Sequence, residues 1–239
     1  MEFAEKTAQM SKFISKLLQE NFGKGPESVH VSFSHPYVVV YIRNFMSATE
    51  RVLMKTKNED TVQKTRDAVM ESLTSNITTT IHDLFDTDIF EFYFDWNLHN
   101  KTGVFVAVTQ QLDHSFAIQS SFEGKNRLLE EIDLISQSVQ KSPAIQECYQ
   151  LNERTFVNVR EGLLIPIEKE LIRLGHEELL VLTKRNLEKK YLHSNSHFER
   201  ILKRKIMDVF VDWNFELDKS IIVIITTPPQ PTQIIRQAQ

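Results

Sequence analysis

The chain has 239 residues, of which 41% are hydrophobic and 25% are charged, and its formal net charge is −4. This length and composition are typical of a globular protein with one or two domains. The negative charge excludes a global positive field of the kind that attracts nucleic acid or anionic lipid, so we expect no nucleic-acid partner.

The cysteine count and the hydropathy pattern limit the compartments in which this chain fits. The single cysteine, Cys148, excludes an internal disulfide framework and fits a reducing cytoplasm. The first residues, MEFAEKTAQMSKF, have no apolar region of the kind found in signal peptides. The longest apolar run has five residues, at 221–225, whereas a membrane-spanning helix needs roughly 20. We therefore expect a cytoplasmic location and no transmembrane segment.

The first predicted elements are a helix and a β-hairpin. Apolar residues recur at helical spacing as far as Phe22, and Gly23 and Pro26 then predict the end of the helix. The segments VHVSF and YVVVYI are rich in β-branched and aromatic residues. They predict two strands with a turn between them at His35-Pro36.

The second predicted helix begins at a capping box. Ser47 and Glu50 have the spacing at which each side chain accepts a hydrogen bond from the backbone N–H of the other. An apolar stripe continues the helical pattern to Leu84, with a predicted break near 58–60. In the second half of the chain, Pro166 stands at the corresponding first helical position, where proline is tolerated.

The third predicted strand has one apolar and one mixed face, because residues two apart point to the same side of a strand. The apolar face is predicted to carry Phe90, Phe92, Phe94 and Trp96. The mixed face is predicted to carry Glu91, Tyr93 and Asp95. A return strand, VFVAV, follows a short loop, so a hairpin connects the two. This pattern predicts an antiparallel sheet that helices cover on one face.

The same elements recur later in the chain. The segment IFEFYFDWNLHNKTGVFVAVT at 89–109 aligns without a gap with IMDVFVDWNFELDKSIIVIIT at 206–226. Asp95 therefore meets Asp212, at an offset of 117 residues (212 − 95 = 117). The repeat explains why the Asp-Trp-Asn motif occurs twice in one chain.

The repeat extends upstream and defines the predicted domains. Arg43 meets Arg160 at the same offset, and a one-residue slip then places Glu50 on Glu168 (168 − 50 = 118). We predict an α+β protein of two tandem repeats, each with the element order α-β-β-α-β-β. The predicted boundaries are 1–112 for the first repeat, 113–121 for a linker, 122–229 for the second, divergent repeat and 230–239 for a flexible tail.

The two tryptophans of the chain both lie in the repeated Asp-Trp-Asn motif, and two interpretations of it stay open. In the structural interpretation, Asp or Asn caps a turn through its side chain while Trp packs in the core. In the functional interpretation, the paired motifs line a surface for a ligand or a partner. The candidate residues are Asp95, Trp96, Asn97, Asp212, Trp213 and Asn214.

Two arginines complete the set of candidate ligand- or partner-binding residues. Arg43 and Arg160 end equivalent predicted strands, where a guanidinium group can hold a carboxylate or phosphate in a bidentate manner. Each arginine can equally pair with Glu50, Glu168 or a strand carboxylate. The internal ion pair is the interpretation that we favour.

The sequence contains no recognised catalytic or metal-binding motif. His193 and His197 are four residues apart, which on a helix places both on one face. However, Ser-Asn-Ser between them weakens the helix, and the first repeat has no equivalent pair. Cys148 aligns with a strand position and is predicted to be a buried small side chain. We predict that the protein has no catalytic residue, no metal and no cofactor, and that it is not an enzyme.

The order of motifs in the first repeat resembles a known bacterial family. A helix ending in GKGP, followed by ESVHVSFSHPYVVVYIRNFMSATE and then by a helix and two strands, is similar to the MpsC-type domain. The resemblance covers residues 3–109, and in the second repeat it is clearest at 156–168 and 198–226. The glycine-proline stop is replaced there by Lys-Ser-Pro at 141–143.

The resemblance implies a role at a membrane. The MpsC family is named for a component of the sodium-translocating, membrane-potential-generating system of Gram-positive bacteria. Its implied partners are membrane and membrane-associated proteins linked to cation and inorganic-carbon uptake. The resemblance implies no catalytic residue.

We therefore interpret the chain as a non-enzymatic cytoplasmic accessory or regulatory protein, recruited to the membrane by subunits of a transport system. Recruitment by direct lipid insertion of the first helix is less favoured, because a domain of this size needs that apolar stripe for its core. The alternatives are a small-ligand sensor with a pocket at the domain interface and, with less support, an unrecognised hydrolase. The sequence leaves the oligomeric state open, and a homo-oligomer is compatible with it.

Overall fold

The computed structural model describes residues 3–109 and 121–229 and shows two halves with the same order of elements. The first half contains α1 (Phe3–Phe22), β1 (Ser28–Ser34), β2 (Tyr37–Arg43), α2 (Ala48–Lys55), α3 (Glu59–Phe85), β3 (Ile89–Asn97) and β4 (Thr102–Thr109). The second half contains α4 (Lys125–Val139), β5 (Ile145–Gln150), β6 (Thr155–Glu161), α5 (Pro166–Arg173), α6 (Glu177–Ser194), α7 (His197–Leu202), β7 (Ile206–Asn214) and β8 (Lys219–Thr226).

Each half forms one four-stranded antiparallel sheet, which confirms the predicted tandem α+β fold. The strand order is β1-β2-β4-β3 in the first sheet and β5-β6-β8-β7 in the second. Strands β3 and β7 are therefore edge strands at equivalent positions. The predicted tail and nearly all of the predicted linker lie outside the described residues, so the domain boundaries stay predictions.

The helix ends follow the chemistry predicted from the sequence. Gly23 has a φ of 72°, and its N–H donates to the carbonyl of Gln19 at 3.0 Å, which ends α1. Ser47 and Glu50 form the predicted capping box at the start of α2. Pro166 is the first residue of α5, where only the glutamate half of the box exists, since Ile165 has no side-chain acceptor. No helix within 3–109 or 121–229 is both long enough and apolar enough to cross a membrane.

One prediction about strand faces was wrong, because both third strands contain a bulge. The register with the neighbouring strand shifts between Ile89 and Glu91, and again between Ile206 and Asp208. The extra residue at the bulge turns Phe90 outward, so that it is 66% exposed and does not join the apolar face. A count of alternating residues cannot detect such a shift.

The helices cover one face of each sheet. The opposite faces of the two sheets pack against each other. Two cores lie between the helices and the sheets, one in each half. A third core joins residues of both sheets, with Tyr37 of β2 against Tyr149 of β5 and Tyr41 of β2 against Phe210 of β7. The face that was predicted to be mixed is therefore buried between the halves.

Candidate functional site

The aspartates of the two Asp-Trp-Asn motifs join the halves of the protein. The Oδ2 atom of Asp95 accepts a hydrogen bond from the backbone N–H of Val211 at 3.0 Å. The Oδ2 atom of Asp212 accepts one from the backbone N–H of Phe94 at 2.8 Å. Edge strands carry N–H groups that no neighbouring strand satisfies. Each aspartate therefore satisfies one such group on the edge strand of the other half.

Helix α6 supplies the cations that neutralise these carboxylates. Arg185 lies 2.9 Å from Asp212, 3.1 Å from Asp67 of α3 and 3.4 Å from Asp95. Lys189, one turn later, donates to Asp95 at 2.6 Å and to the carbonyl of Trp96 at 2.7 Å. We call Asp67, Asp95, Arg185, Lys189 and Asp212 the seam cluster.

Burial and charge act against each other in the seam cluster. Burial raises the pKa of Asp212 above its usual value, and the adjacent Arg185 guanidinium only partly offsets this. Burial raises the pKa of Asp67 in the same way. Burial lowers the pKa of Lys189, although Asp95 favours its charged form. Burial also opposes the charge of Arg185, but the surrounding carboxylates raise its pKa. Arg185 is thus the cation that offsets the cost of burying these carboxylates in their charged form.

The first motif tryptophan is a core residue, as predicted. Trp96 is 1% exposed, and the guanidinium of Arg66 lies 4.5 Å from the centre of its ring. Arg66 is held there by Glu50, with two N–O contacts of 2.7 and 3.1 Å, and by the carbonyl of Phe45 at 3.0 Å. The ring therefore covers a buried ion pair as well as filling the core.

The ring of Trp96 packs directly against the backbone of Gly103, which lies opposite it on β4 and leaves no room for a side chain. A Cβ atom added at Gly103 would lie 2.2 Å from Cε3 of Trp96. We expect Gly103→Ala to lower the free energy of unfolding by about 1–3 kcal/mol through overpacking. Gly25→Ala is the control, because a Cβ atom there meets its nearest neighbour at 3.5 Å. Urea unfolding measures both variants, and equal stabilities would contradict the close contact.

The second motif tryptophan covers a larger buried network. Trp213 is 7% exposed, and Lys184 lies 3.9 Å from the centre of its ring. Lys184 pairs with Glu168 at 2.6 Å and also contacts Gln140. Burial lowers the pKa of Lys184, and Glu168 counters that effect. The prediction that both motif tryptophans are buried is therefore confirmed.

Arg160 has an internal partner, but not the one predicted. Its side chain donates to Glu188 of α6 at 2.7 Å, to Ser220 at 2.7 Å and to Ser136 at 2.9 Å. The side chains of Arg160 and Glu188 are both fully buried. Glu168, one of the partners that the sequence suggested, binds Lys184 instead.

Arg43 lies in a different environment from Arg160. It is half-buried, and no hydrogen bond or ion pair of its side chain occurs within 3–109 and 121–229. It lines an open cleft of about 480 Å³ between the halves, which Tyr41 and Lys101 of the first half share with Asp208 of the second. Of the eight predicted residues, Arg43 is the one that lines this cleft, and its guanidinium group is unpaired as far as the described residues show.

The two motif asparagines lie at the starts of equivalent turns. Asn97 accepts a hydrogen bond from the N–H of Asn100 at 3.3 Å, and Asn214 accepts one from the N–H of Leu217 at 3.1 Å. Asn97 also donates to Asp208 across the seam at 3.0 Å. The turn contacts agree with the structural interpretation of the motif, and the contact with Asp208 again joins the halves.

The remaining titratable candidates have structural partners. His193 contacts the carbonyl of Val209 at 2.9 Å, and His197 contacts Glu131 at 3.0 Å. Among the residues that the structure describes, no group of three or more His, Cys, Asp or Glu is arranged to hold a metal ion. Cys148 is fully buried on β5, and burial raises the pKa of its thiol to about 12. This is the environment of a core side chain.

The sequence interpretation missed the two cations of the seam cluster. Arg185 and Lys189 are four residues apart and so lie on one face of α6. The same spacing is common on solvated helix faces, so it gave no sign of burial. The repeat contained a signal that could have found Arg185. This residue occupies the position at which the first half has the oppositely charged Asp67 (185 − 67 = 118).

Comparison with known proteins found a family that the first half resembles. Residues 4–111 match the family model described as Na+-translocating membrane potential-generating system (MpsC). No curated protein and no solved structure matches the chain. The matched residues are those of the first sheet and its helices, and the second sheet has the same strand order. Over residues 4–111 the chain is therefore similar to the MpsC family, and its second half has the same order of elements and strands.

Proposed function

We propose that this protein is a non-enzymatic cytoplasmic accessory or regulatory component of a membrane system that generates membrane potential, linked to sodium and bicarbonate. The observation that supports this proposal is the family match of residues 4–111. In this role the protein contacts subunits of the transport system at the cytoplasmic side of the membrane.

The packing of α1 supports recruitment by a protein partner over insertion into lipid. The apolar stripe of α1 is used in the core of the first half, where Met10, Ile14 and Leu18 are fully buried. A helix that inserts into a bilayer surface needs that stripe free. We expect the purified protein not to sediment with protein-free liposomes of bacterial lipid at physiological salt.

The cleft at Arg43 favours a second candidate, a small-ligand sensor. Within the described part of the chain, the half-buried guanidinium of Arg43 has no partner and lies beside the side chains of Tyr41 and Asn44, so it is suited to a carboxylate or another small oxyanion. In this candidate, a ligand bound between the halves reports to the transport system.

Deletion of the gene in its native bacterium tests the proposal and separates the two candidates. Membrane potential is measured with a voltage-sensitive dye at several sodium and bicarbonate concentrations, and the tagged chain is purified with membranes retained. We expect the potential to fall on deletion, the wild-type chain to restore it, and transport-system subunits to co-purify.

Arg43→Gln is the matched variant, because the Arg43 side chain has no hydrogen-bond or ion-pair partner among residues 3–109 and 121–229 that the change would remove. Restoration of the potential by this variant is expected if the protein acts through a partner surface elsewhere. Failure of the folded variant, together with binding of small oxyanions by the wild-type chain, would establish the sensor. An unchanged potential on deletion, with no transport subunit co-purified, would contradict both.

A further inference from the structure

The apolar contacts between the two halves do not distinguish one half from the other. The first half contributes mainly valine and tyrosine to the core between the sheets, and the second contributes valine, isoleucine and phenylalanine. Such contacts are non-directional and favour association without selecting a partner. Selectivity at this interface therefore has to come from the polar groups of the seam.

The long helices of the two halves can be aligned through equivalent ion pairs. Arg66 of α3 pairs with Glu50, and Lys184 of α6 pairs with Glu168. Both members of the pair are offset by the same number of residues (184 − 66 = 118 and 168 − 50 = 118). The structure thus fixes the register of the repeat within these helices.

At the next position of that register, the two helices carry opposite charges. Asp67 on α3 corresponds to Arg185 on α6 (185 − 67 = 118), and the two side chains contact each other at 3.1 Å. One turn later, Lys189 corresponds to Glu71 (189 − 71 = 118). At the first of these two positions, the duplicated residues Asp67 and Arg185 have therefore diverged into complementary charges that meet across the seam. At the second, Glu71 is exposed, and Lys189 pairs with Asp95.

A pairing of two identical halves lacks this complementarity. Two first halves would bring two copies of Asp67 together with two copies of Asp95 and supply no cation at the positions of Arg185 and Lys189. Two second halves would place Arg185 against Arg185. Like charges that meet in a desolvated interface disfavour association strongly.

We propose that Arg185, assisted by Lys189, determines which unit packs on the sheet face of the first half. The second half is selected because it carries these two cations. The partner that this face recognises is a unit of the same fold whose long helix carries an arginine and a lysine four residues apart. A second copy of the first half is rejected. This inference is independent of the proposed cellular role, because it rests on the seam cluster alone.

The test uses the full chain with a recognition sequence for a site-specific protease placed between Thr109 and Ser121. The folded protein is cut there, so that the halves are already paired. Native mass spectrometry then follows their dissociation on dilution. The cut wild-type protein is also unfolded in denaturant and refolded, and the pair types are counted. We expect pairs of first and second halves, with pairs of two first halves at trace level.

Charge variants test the role of Arg185 itself. Arg185→Asp is expected to raise the dissociation constant of the cut halves by about 100-fold or more. The double variant Asp67→Arg/Arg185→Asp is expected to bring it back to within about tenfold of the wild type, because the cation then lies on α3, still beside the seam aspartates. Arg173→Asp, on the exposed surface of α5, is the control and is expected to leave it unchanged.

Two results would overturn the proposal. One is a cut Arg185→Asp protein whose halves stay together as tightly as those of the wild type. The other is refolded wild-type protein in which pairs of two first halves are as abundant as mixed pairs. The second result decides the question even where Arg185→Asp does not fold.

Discussion

Replacing Arg185 with methionine is expected to lower the free energy of unfolding by about 3–5 kcal/mol. The guanidinium touches Asp67, Asp95 and Asp212, and its loss leaves these carboxylates between the halves with only Lys189 to balance them. Methionine fills a similar volume, so the loss of charge is the main change. Arg173→Met is the control, because Arg173 pairs with Glu170 on the exposed surface, where an ion pair contributes at most about 1 kcal/mol.

The destabilisation caused by Arg185→Met is expected to shrink as the pH falls. Burial already raises the pKa of Asp67 and Asp212 in the folded state, and loss of the adjacent cation raises it further. A carboxyl group with a raised folded-state pKa binds protons more readily in the folded than in the unfolded protein, so acid favours folding at these groups. Urea unfolding at several pH values measures the difference. If the unfolding free energy of Arg185→Met stays below that of the wild type by the same amount from pH 7 to the acid range, this account of the seam is contradicted.

Trp96→Ala is expected to cost about 3–5 kcal/mol of unfolding free energy. The change removes a ring that is 1% exposed and uncovers the buried guanidinium of Arg66, which pairs with Glu50 beneath it. Phe90→Ala on the same strand is the control, because Phe90 is 66% exposed at the bulge. This variant is expected to change the free energy of unfolding by about 0.5 kcal/mol or less. Thermal unfolding compares the two variants. An unchanged melting temperature for Trp96→Ala would show that the ring is not a core residue.

The sequence predicted the fold well because its signals are local or duplicated. The stop at Gly23 and the capping box at Ser47 and Glu50 depend on residues close in the chain. The repeat then placed the second half on the same topology, so that burial of both tryptophans could be predicted. The bulge at Phe90 was missed because strand alternation assumes a regular register.

The candidate site was only partly predictable because its partners are distant in the chain. Asp95 meets Lys189 from the other half, and no short pattern connects the two residues. The equivalent arginines also differ for a physical reason: Arg160 has Glu188 beside it, whereas the helical counterpart of Glu188 is Met70 (188 − 70 = 118). Arg43 therefore lacks a carboxylate at the helix position equivalent to Glu188, with which it could form a buried ion pair. Its side chain lies at the rim of the cleft.

Amide hydrogen exchange at Phe94 and Val211 tests the central structural claim most directly. Both residues lie on edge strands, and each backbone N–H donates to an aspartate of the other half. If the halves lie face to face as described, both amides exchange at least about 100-fold more slowly than the unprotected rate, because exposing them requires the halves to separate. Exchange of both amides at the rate of an exposed strand edge would contradict the pairing of the two halves.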